Sequence, residues 1–395
     1  WDKVKLYSNQ VINPYSDFDQ QRCAEYFVVE SVTATTLVCA GRHIFAHEHN
    51  SSTISRRVAK MRTEKTLNLQ NIKVRRDLDH IVGEFAVAIE VVGFCNHTIN
   101  NIHSDVFKGM LLAHRSCYKG ILRNITADKL SDVTGENSLG YVGGDYGSQE
   151  SRWYELNGGV VRHTYTTGAN SINETQYLDT RPDQYGGAVR CHVMTGTTTA
   201  CTNFAYDTHQ DAWECEFHDI TVYDDRSNTY ASSGAFQDRA QFTKVHKLTS
   251  ISDGSDVSAG EVAIAYNKGA RGTWIGHIIF KGNGRCISSF GIDEPMSYRV
   301  DKITVYQEKY SPLIARLNEP VSLTIGRIDV IPHDPTRGFY GSGGSSYFML
   351  SDFANLKVED MHIWFDDVSL PNSTIAGDYL VKLTGDVHMI DLKVN

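Results

Sequence analysis

Acidic, imidazole and guanidinium side chains cluster near the middle of this sequence, in three short segments. The first is RHTYTTG from Arg162, the second is DTHQDAWECEFHDITV from Asp207, and the third is FQDR from Phe236. Carboxylates, imidazoles and guanidinium groups that lie close together shift one another's pKa values, and acid–base catalysis uses groups tuned in this way. We therefore interpret the three segments as parts of one catalytic or ligand-binding site.

Each residue type in these segments suggests a role. The candidate catalytic residues are His163, Asp207, His209 and Asp211. The candidate substrate-binding residues are Arg162, Gln237, Arg239, Tyr206, Trp153 and Tyr154. Glycoside hydrolysis needs two carboxylates, one of them kept protonated as the acid. Asp207 and Asp211 can supply this pair, with Glu155 or Glu214 in reserve.

Two other chemistries remain open. A polysaccharide lyase needs a base and a cation, which His163 or His209 could supply together with Arg162 or Arg239. Asp and His side chains together also permit metal-assisted cleavage of the phosphodiesters of teichoic acid. Hydrolysis is favoured because the net charge is −9 and no cationic stripe suited to a polyuronate is visible. We predict no cofactor and assign no metal ligands.

A recurring phrase supplies the elements that must position these residues. A polar, an aliphatic and a polar residue close one segment after another, at intervals of 23 to 39 residues. The anchors are Ile72, Ile102, Ile125, Thr164, Val193, Ile220, Leu248, Ile278, Ile303, Ile328, Met361 and Leu392. Alternating apolar and polar residues indicate strands, and this period indicates stacked repeats. The sequence predicts an all-β fold, a right-handed, single-stranded parallel β-helix of about 12 coils in which the aliphatic anchors form one interior stack.

Such stacking would bring the three segments together. Strands on adjacent coils lie about 4.8 Å apart, so groups one coil apart in sequence become neighbours. We expect Asp207, His209, His163 and Arg239 to project into one external groove, because burying them without partners would be costly. Two cysteine pairs also sit about one coil apart, Cys95 with Cys117 and Cys191 with Cys215. We interpret them as buried free thiols rather than disulfides.

The chain divides into a capping region, residues 1–66, and the solenoid, residues 67–395, with a central catalytic or glycan-binding groove. Three Gly-rich stretches are interpreted as loop insertions, residues 134–157, 166–187 and 333–346. Insertions of this kind project from coil corners and often build a binding face. Aromatic residues at their tips could stack on sugar rings.

Composition limits the function classes. A net charge of −9 and a pI near 6.0 give no support to nucleic-acid binding. The longest apolar stretch, residues 85–94, contains Glu90, so we predict no membrane insertion. The chain begins at Trp1 and stops within a strand phrase, so we expect it to be a piece of a longer protein.

The three central segments, in this order, resemble the pectate-lyase-like β-helix modules of bacteriophage tailspikes. That group shows RHxxTTG, then DTHxxA, then a Gln-x-Arg coil. The matching positions here are Arg162, His163, Thr166, Thr167, Gly168, Asp207, Thr208, His209, Ala212, Gln237 and Arg239. The coil before RHTYTTG departs from the pattern by being long and rich in Gly and Tyr.

The resemblance implies a homotrimer in the virion tail, attached to other tail proteins and acting outside the cell. It also implies depolymerisation of a host surface polysaccharide, either capsule, lipopolysaccharide, exopolysaccharide or wall polymer. The rival hypothesis is an adhesin that binds a host glycan without cleaving it. The loop aromatics Tyr141, Tyr146, Trp153 and Tyr154 would serve either function.

Overall fold

The computed structural model describes sixteen stretches of the chain. These are residues 3–11, 22–40, 56–61, 66–75, 87–107, 109–130, 140–168, 186–224, 234–252, 262–282, 285–290, 295–307, 314–315, 321–332, 346–364 and 379–394. Within them, every element of regular secondary structure is a β-strand. The same stretches contain no helix that is long and apolar enough to span a membrane.

The chain forms two compact units. Unit 1 comprises Trp1–Thr195 and Thr208–Glu216, and unit 2 comprises Gly196–Asp207 and Phe217–Asn395. Both units contain parallel strands.

Unit 1 begins with an antiparallel sheet in the order β3-β2-β1-β4. Its strands are β1 (Lys3–Val11), β2 (Arg22–Val32), β3 (Leu37–Ala40) and β4 (Arg56–Lys60). The sheet packs against the coils of the same unit through Tyr26. Its backbone N–H donates to Gln149 Oε1 over 3.0 Å, its hydroxyl donates to the Gly147 carbonyl over 3.0 Å, and its ring stacks on Tyr118. These strands lie within residues 1–66, where we predict the capping region.

The coils of unit 1 each contribute two strands. The strands are β5 (Asn68–Val74), β6 (Val87–Val92), β7 (Thr98–Val106), β8 (Gly109–Arg115), β9 (Ile121–Lys129), β10 (Gly140–Tyr146), β11 (Arg152–Val161), β12 (His163–Gly168) and the start of β13 (His192–Cys201). β5, β7, β9 and β11 pair in parallel as one ladder, and β6, β8, β10 and β12 form the second. Two parallel ladders built from alternate strands are the arrangement of a parallel β-helix.

Unit 2 repeats this arrangement. Its strands are the end of β13, β14 (Phe204–Asp207), β15 (Glu216–Asp224), β16 (Gly234–Asp238), β17 (Lys244–Ser252), β18 (Val262–Asn267), β19 (Trp274–Gly282), β20 (Arg285–Phe290), β21 (Met296–Gln307), β22 (Ile314–Ala315), β23 (Val321–Pro332), β24 (Ser346–Ile363) and β25 (Tyr379–Val394). β14, β16, β18, β20 and β22 form one parallel ladder, and β15, β17, β19, β21 and β23 form the other. The predicted parallel β-helix is confirmed.

The aliphatic anchors lie in register inside each unit. In unit 1, Ile72 pairs with Ile102, and Ile102 pairs with Ile125. In unit 2 the paired series is Leu248, Ile278, Ile303, Ile328 and Met361. All of these except Ile72, which is half-buried, are fully buried. The recurring phrase therefore marks one interior row of side chains.

One coil, which contains β10 and β11, was predicted wrongly from the sequence. Residues 134–157 were predicted to be a loop insertion, but residues 140–146 and 152–157 form β10 and part of β11. The true anchor of this coil is Leu156, which pairs with Ile125, so Thr164 and Val193 were assigned to the wrong row. The glycines are explained by packing, because a Cβ at Gly143 would lie 2.5 Å from the Trp153 ring.

Leu392 also departs from the prediction. It pairs with Met361 as expected, yet it is 43% exposed. β25 packs against β24 and is the last described strand, so within the described residues no later coil covers this side chain. An interior position encloses a side chain only when coils lie on both sides of it.

One corner of unit 1 is built from residues in the left-handed backbone region. Asn71, Asn101, Asn124 and Glu155 have φ values of 58°, 56°, 52° and 54°. The Asn101 amide donates to Asn71 Oδ1 over 2.8 Å, and the Asn124 amide donates to Asn101 Oδ1 over 3.1 Å. Asn tolerates this conformation better than other residues that carry a Cβ, which explains its recurrence.

We expect Asn101→Ala to lower the free energy of unfolding by about 1–2 kcal/mol, because Ala in the left-handed region is strained and the amide ladder is broken. Asn101→Gly should cost less, since glycine adopts this backbone without strain. Chemical denaturation of the two variants provides the test. Equal losses would show that the side-chain ladder, and not the backbone conformation, determines the effect.

Candidate functional site

The predicted site residues of unit 2 do come together. Asp207 ends β14 and pairs in register with Gln237 on β16, and Arg239 follows two residues later. The Arg239 Nη2 atom lies 2.8 Å from Asp207 Oδ1 and 2.6 Å from Oδ2. The stacking of one coil on the next thus creates an ion pair between residues 32 positions apart.

This ion pair corrects the expectation that Asp207 faces water. Its side chain is 1% exposed, whereas that of Arg239 is 21% exposed. We expected burial to leave the carboxylate without a partner, but the Arg239 guanidinium is its partner and compensates its charge. Arg239 is therefore accessible from the solvent, and Asp207 lies beneath it.

The predicted residues of unit 1 are mostly buried as well. His163 is 3% exposed and its ring packs against Tyr141 at 4.9 Å, so it does not project into an external groove as predicted. Arg162 lies over the same Tyr141 ring at 5.8 Å. Asp211 is 2% exposed and belongs to the turn closed by the Ala212 N–H donating to the His209 carbonyl.

His209 is the most accessible of the four candidate catalytic residues, being half-buried. Its backbone N–H donates to the Thr167 hydroxyl over 2.7 Å. This contact joins the DTH segment to the TTG of RHTYTTG within unit 1. The two motifs are neighbours here because their coils stack, although 42 positions separate the bonded residues.

The candidate aromatic residues also differ in their exposure to solvent. Tyr206 is fully buried on β14, and burial raises the pKa of its hydroxyl well above the ordinary value. Trp153 is fully buried on β11, so the prediction of a loop-tip aromatic at this position is wrong. Tyr154 is half-buried beneath the Arg123 guanidinium, at 4.6 Å from its ring centroid. Of these three, Tyr154 is therefore the accessible one.

Unit 1 contains a pocket that the sequence analysis did not identify. Its volume is about 340 Å³, and it crosses three coils. It is lined by Asn96, His97, Thr98, Lys119, Gly120, Ile121, Glu150 and Arg152. Each coil contributes one corner residue whose backbone is in the left-handed region. Each also contributes the residue that begins the following strand. The corner residues are Asn96, Lys119 and Glu150, three different residue types at one structural position, so no shared motif could reveal the pocket.

The pocket is polar and carries both charges. Lys119 Nζ lies 3.4 Å from Glu150 Oε2, and their side chains are 48% and 30% exposed. Burial alone would lower the pKa of Lys119, but Glu150 and Tyr118 outweigh it and raise the pKa above its ordinary value. Lys119 therefore stays protonated, which suits binding of an acceptor group and not proton abstraction.

A buried polar cluster lies in the coils of the same unit. Asp145 is fully buried, and its Oδ2 atom accepts hydrogen bonds of 2.7 Å from Ser151, Trp153 and Tyr165. Its Oδ1 atom lies 2.6 Å from His114 Nδ1. The carboxylate therefore has four protein partners in the interior. The sequence did not predict this cluster, because His114 and Tyr165 come from the neighbouring coils on either side.

The cluster continues from His114 to His97. The two Nε2 atoms are 2.7 Å apart, and both imidazoles are buried. Burial by itself lowers the pKa of His114, but Cys117 and Asp145 outweigh it and raise the pKa to about 10. Burial and the neighbouring His114 charge lower the pKa of His97 to about 3. The pKa values of these two neighbouring imidazoles are therefore shifted in opposite directions.

Two side-chain groups in unit 1 have donor atoms close enough together to hold a metal ion. One is His97, His114 and Cys117, and the other is His103, Asp105 and Asp128. The second group is at the surface, where Lys73 forms a 2.7 Å ion pair with Asp105. Because the Lys73 ammonium group already pairs with the Asp105 carboxylate, the buried group is the better candidate for binding a metal ion.

No protein-family model and no curated protein matches the chain. A solved structure is similar to it: the tailspike protein gp49 from Pseudomonas phage LKA1. The identity is 12%, the TM-score is 0.49, and the match covers 94% of this chain and 59% of the tailspike chain. The β-helix assignment rests on the strand pairing of this chain itself.

Proposed function

We propose that the protein is a phage tailspike that binds a host surface polysaccharide and cleaves it by glycosidic hydrolysis. The observation that carries the binding part of the proposal is the pocket of unit 1, which crosses three stacked coils and is lined by apolar groups together with amide, hydroxyl, cationic and carboxylate side chains. Sugars present hydroxyl groups at regular intervals, and a concave surface with repeated polar groups is complementary to them. Capsule, lipopolysaccharide and exopolysaccharide are the candidate ligands.

The proposed cleavage uses the carboxylates of the DTHQD segment. Asp207, stabilised in its charged form by Arg239, would act as the base or nucleophile, and Asp211 would be the proton donor. Because the guanidinium covers Asp207, catalysis requires Arg239 to move aside when glycan binds. The glycan chain would be positioned by Arg162, Gln237 and Tyr154. If the reaction is instead an elimination, His163 or His209 would supply the base. Cleavage of teichoic acid would be metal-assisted and would use Asp and His side chains together.

A glycan-binding adhesin without hydrolysis is the second candidate. One observation favours it: Glu150 is the single carboxylate among the pocket-lining residues, and it is paired with Lys119. Hydrolysis needs two carboxylates on opposite sides of the bond. The pocket alone therefore supports binding, and cleavage depends on the DTHQD segment.

The proposal includes the assembly that the motif resemblance implies. The protein would act as a homotrimer in the virion tail, joined to other tail proteins, and would meet its glycan outside the cell. Light scattering on the purified protein tests the trimer, and a stable monomer at micromolar concentration would contradict it.

The activity is tested by incubating the purified protein with a panel of bacterial capsule, lipopolysaccharide and exopolysaccharide preparations. Mass spectrometry of the products distinguishes the outcomes. Oligosaccharides with one added water per cleavage indicate hydrolysis, and a 4,5-unsaturated end indicates a lyase. Binding to an immobilised glycan without any product indicates an adhesin, and neither binding nor cleavage across the panel would overturn the proposal.

We expect Arg152→Ala to weaken glycan binding about tenfold, equivalent to about 1.4 kcal/mol, because one polar contact in the pocket is lost. Arg75→Ala is the matched control, since Arg75 is an exposed arginine of the same unit that does not line the pocket. Biolayer interferometry on the glycan identified by the panel provides the affinities. Equal losses in both variants would place binding outside the pocket.

A further inference from the structure

We propose that His97, His114 and Cys117 form a zinc site in the interior of unit 1. The donor atoms of these three residues all lie within 4.8 Å of one another, and all three residues are buried. His114 and Cys117 belong to one coil, at the end of β8 and just after it, and His97 precedes β7. The inference does not depend on whether the protein cleaves a glycan.

The distances require little adjustment. Zinc bonds histidine nitrogen at about 2.0–2.1 Å in tetrahedral geometry, which places two ligating nitrogens about 3.3 Å apart. The two Nε2 atoms are 2.7 Å apart in the metal-free structure. Opening this contact by roughly 0.6 Å would admit the ion between them. The Cys117 sulfur would complete three protein ligands and leave one position for water.

Asp145 already orients one imidazole as zinc sites require. Metal-binding histidines generally donate their second ring N–H to a carboxylate or carbonyl, which fixes the tautomer and directs the other nitrogen at the metal. His114 Nδ1 lies 2.6 Å from Asp145 Oδ1, so its Nε2 is the nitrogen that faces His97. Three further donors hold Asp145 in place.

Gly120 provides the space that the two imidazoles use. A Cβ at this position would lie 2.7 Å from His97 Nε2 and 2.8 Å from His114 Nε2. Any other residue would push the rings apart, so glycine at this point of the coil permits their approach. The stacking of the coils thus brings His97 to His114 across a position without a side chain.

Charge and ligand type favour zinc. Cysteine thiolate and imidazole are the common ligands of zinc. One thiolate and the Asp145 carboxylate together neutralise a divalent ion, and such neutrality matters in an interior of low dielectric constant.

The test uses the untagged protein, stripped with a chelator and titrated with Co²⁺ and then Zn²⁺. We expect a near-ultraviolet thiolate-to-cobalt band that saturates at about one equivalent, and a rise in melting temperature with Zn²⁺ by ligand linkage. Cys117→Ser should abolish the band and weaken Zn²⁺ binding by more than about 10–100-fold, the range found when only an outer-shell partner of a ligand is lost.

Cys286→Ser is the matched control, because Cys286 is a fully buried thiol of unit 2 whose pKa is raised by burial alone. It should keep the cobalt band and the Zn²⁺ affinity of the wild type. The absence of a thiolate band from the folded wild-type protein would overturn the proposal, whatever the variants do. Equal loss in the two cysteine variants would also overturn it.

Discussion

Asp145→Ala should lower the free energy of unfolding of unit 1 by about 3–5 kcal/mol, the range found when one partner of a buried charged pair is removed. The substitution deprives His114, Ser151, Trp153 and Tyr165 of their shared acceptor at once. None of these donors can reach water, because Asp145 itself is fully buried. Each unsatisfied donor costs about 1–3 kcal/mol, so even partial relaxation leaves a large loss.

Urea denaturation followed by tryptophan fluorescence measures this effect, since Trp153 is part of the cluster. Asp145→Asn should cost less, because the amide oxygen can still accept some of these hydrogen bonds. Asp128→Ala is the matched control in unit 1: that side chain is 60% exposed and its contact with His103 is 3.2 Å long, so we expect less than about 0.5 kcal/mol. If Asp145→Ala also costs less than about 0.5 kcal/mol of unfolding free energy, the buried cluster around Asp145 does not stabilise unit 1.

Asp207→Asn should reduce depolymerase activity by at least about 100-fold, the lower end of the contribution of a general base, if the hydrolytic proposal holds. An amide neither carries the negative charge nor accepts a proton at neutral pH. The same change removes the charge that holds Arg239, so we also expect unit 2 to lose about 2–3 kcal/mol of stability.

Activity must therefore be assayed at a temperature at which circular dichroism shows the variant to be folded. Asp219→Asn is the control, because Asp219 pairs with Lys247 at 3.2 Å but is 50% exposed. It should leave activity and stability close to those of the wild type. Full activity in folded Asp207→Asn would remove the DTHQD segment from the catalytic site. The carboxylates at positions 293 and 294, which lie outside the described residues, would then be tested next.

Much of the fold follows from the sequence because a solenoid repeats its chemistry. The interior row of Leu248, Ile278 and Ile303 recurs at nearly the coil length, and a strand phrase with one aliphatic anchor has one way to stack. The prediction from the strand phrase was wrong at the coil that contains Leu156. There, glycines that make room for Trp153 have the composition of a loop, and local sequence does not distinguish a turn from a crowded interior.

The site was less predictable for a related reason. The segments RHTYTTG, DTHQD and FQDR were recognised as chemically special, and the contact between Asp207 and Arg239 confirms that coil stacking joins two of them. The burial of Asp207 and His163 was not foreseen, since the sequence shows the cost of desolvation and not the partner that offsets it.

The sequence by itself determined that this chain forms parallel β-coils, because that outcome depends on short-range alternation and its period. Only the tertiary structure decided which side chains meet. His97, His114 and Asp145 come from three successive coils, and their contact depends on loop lengths, on the register of each strand and on the missing side chain at Gly120. A shift of one residue in any of these strands would reverse the faces of its side chains and separate them.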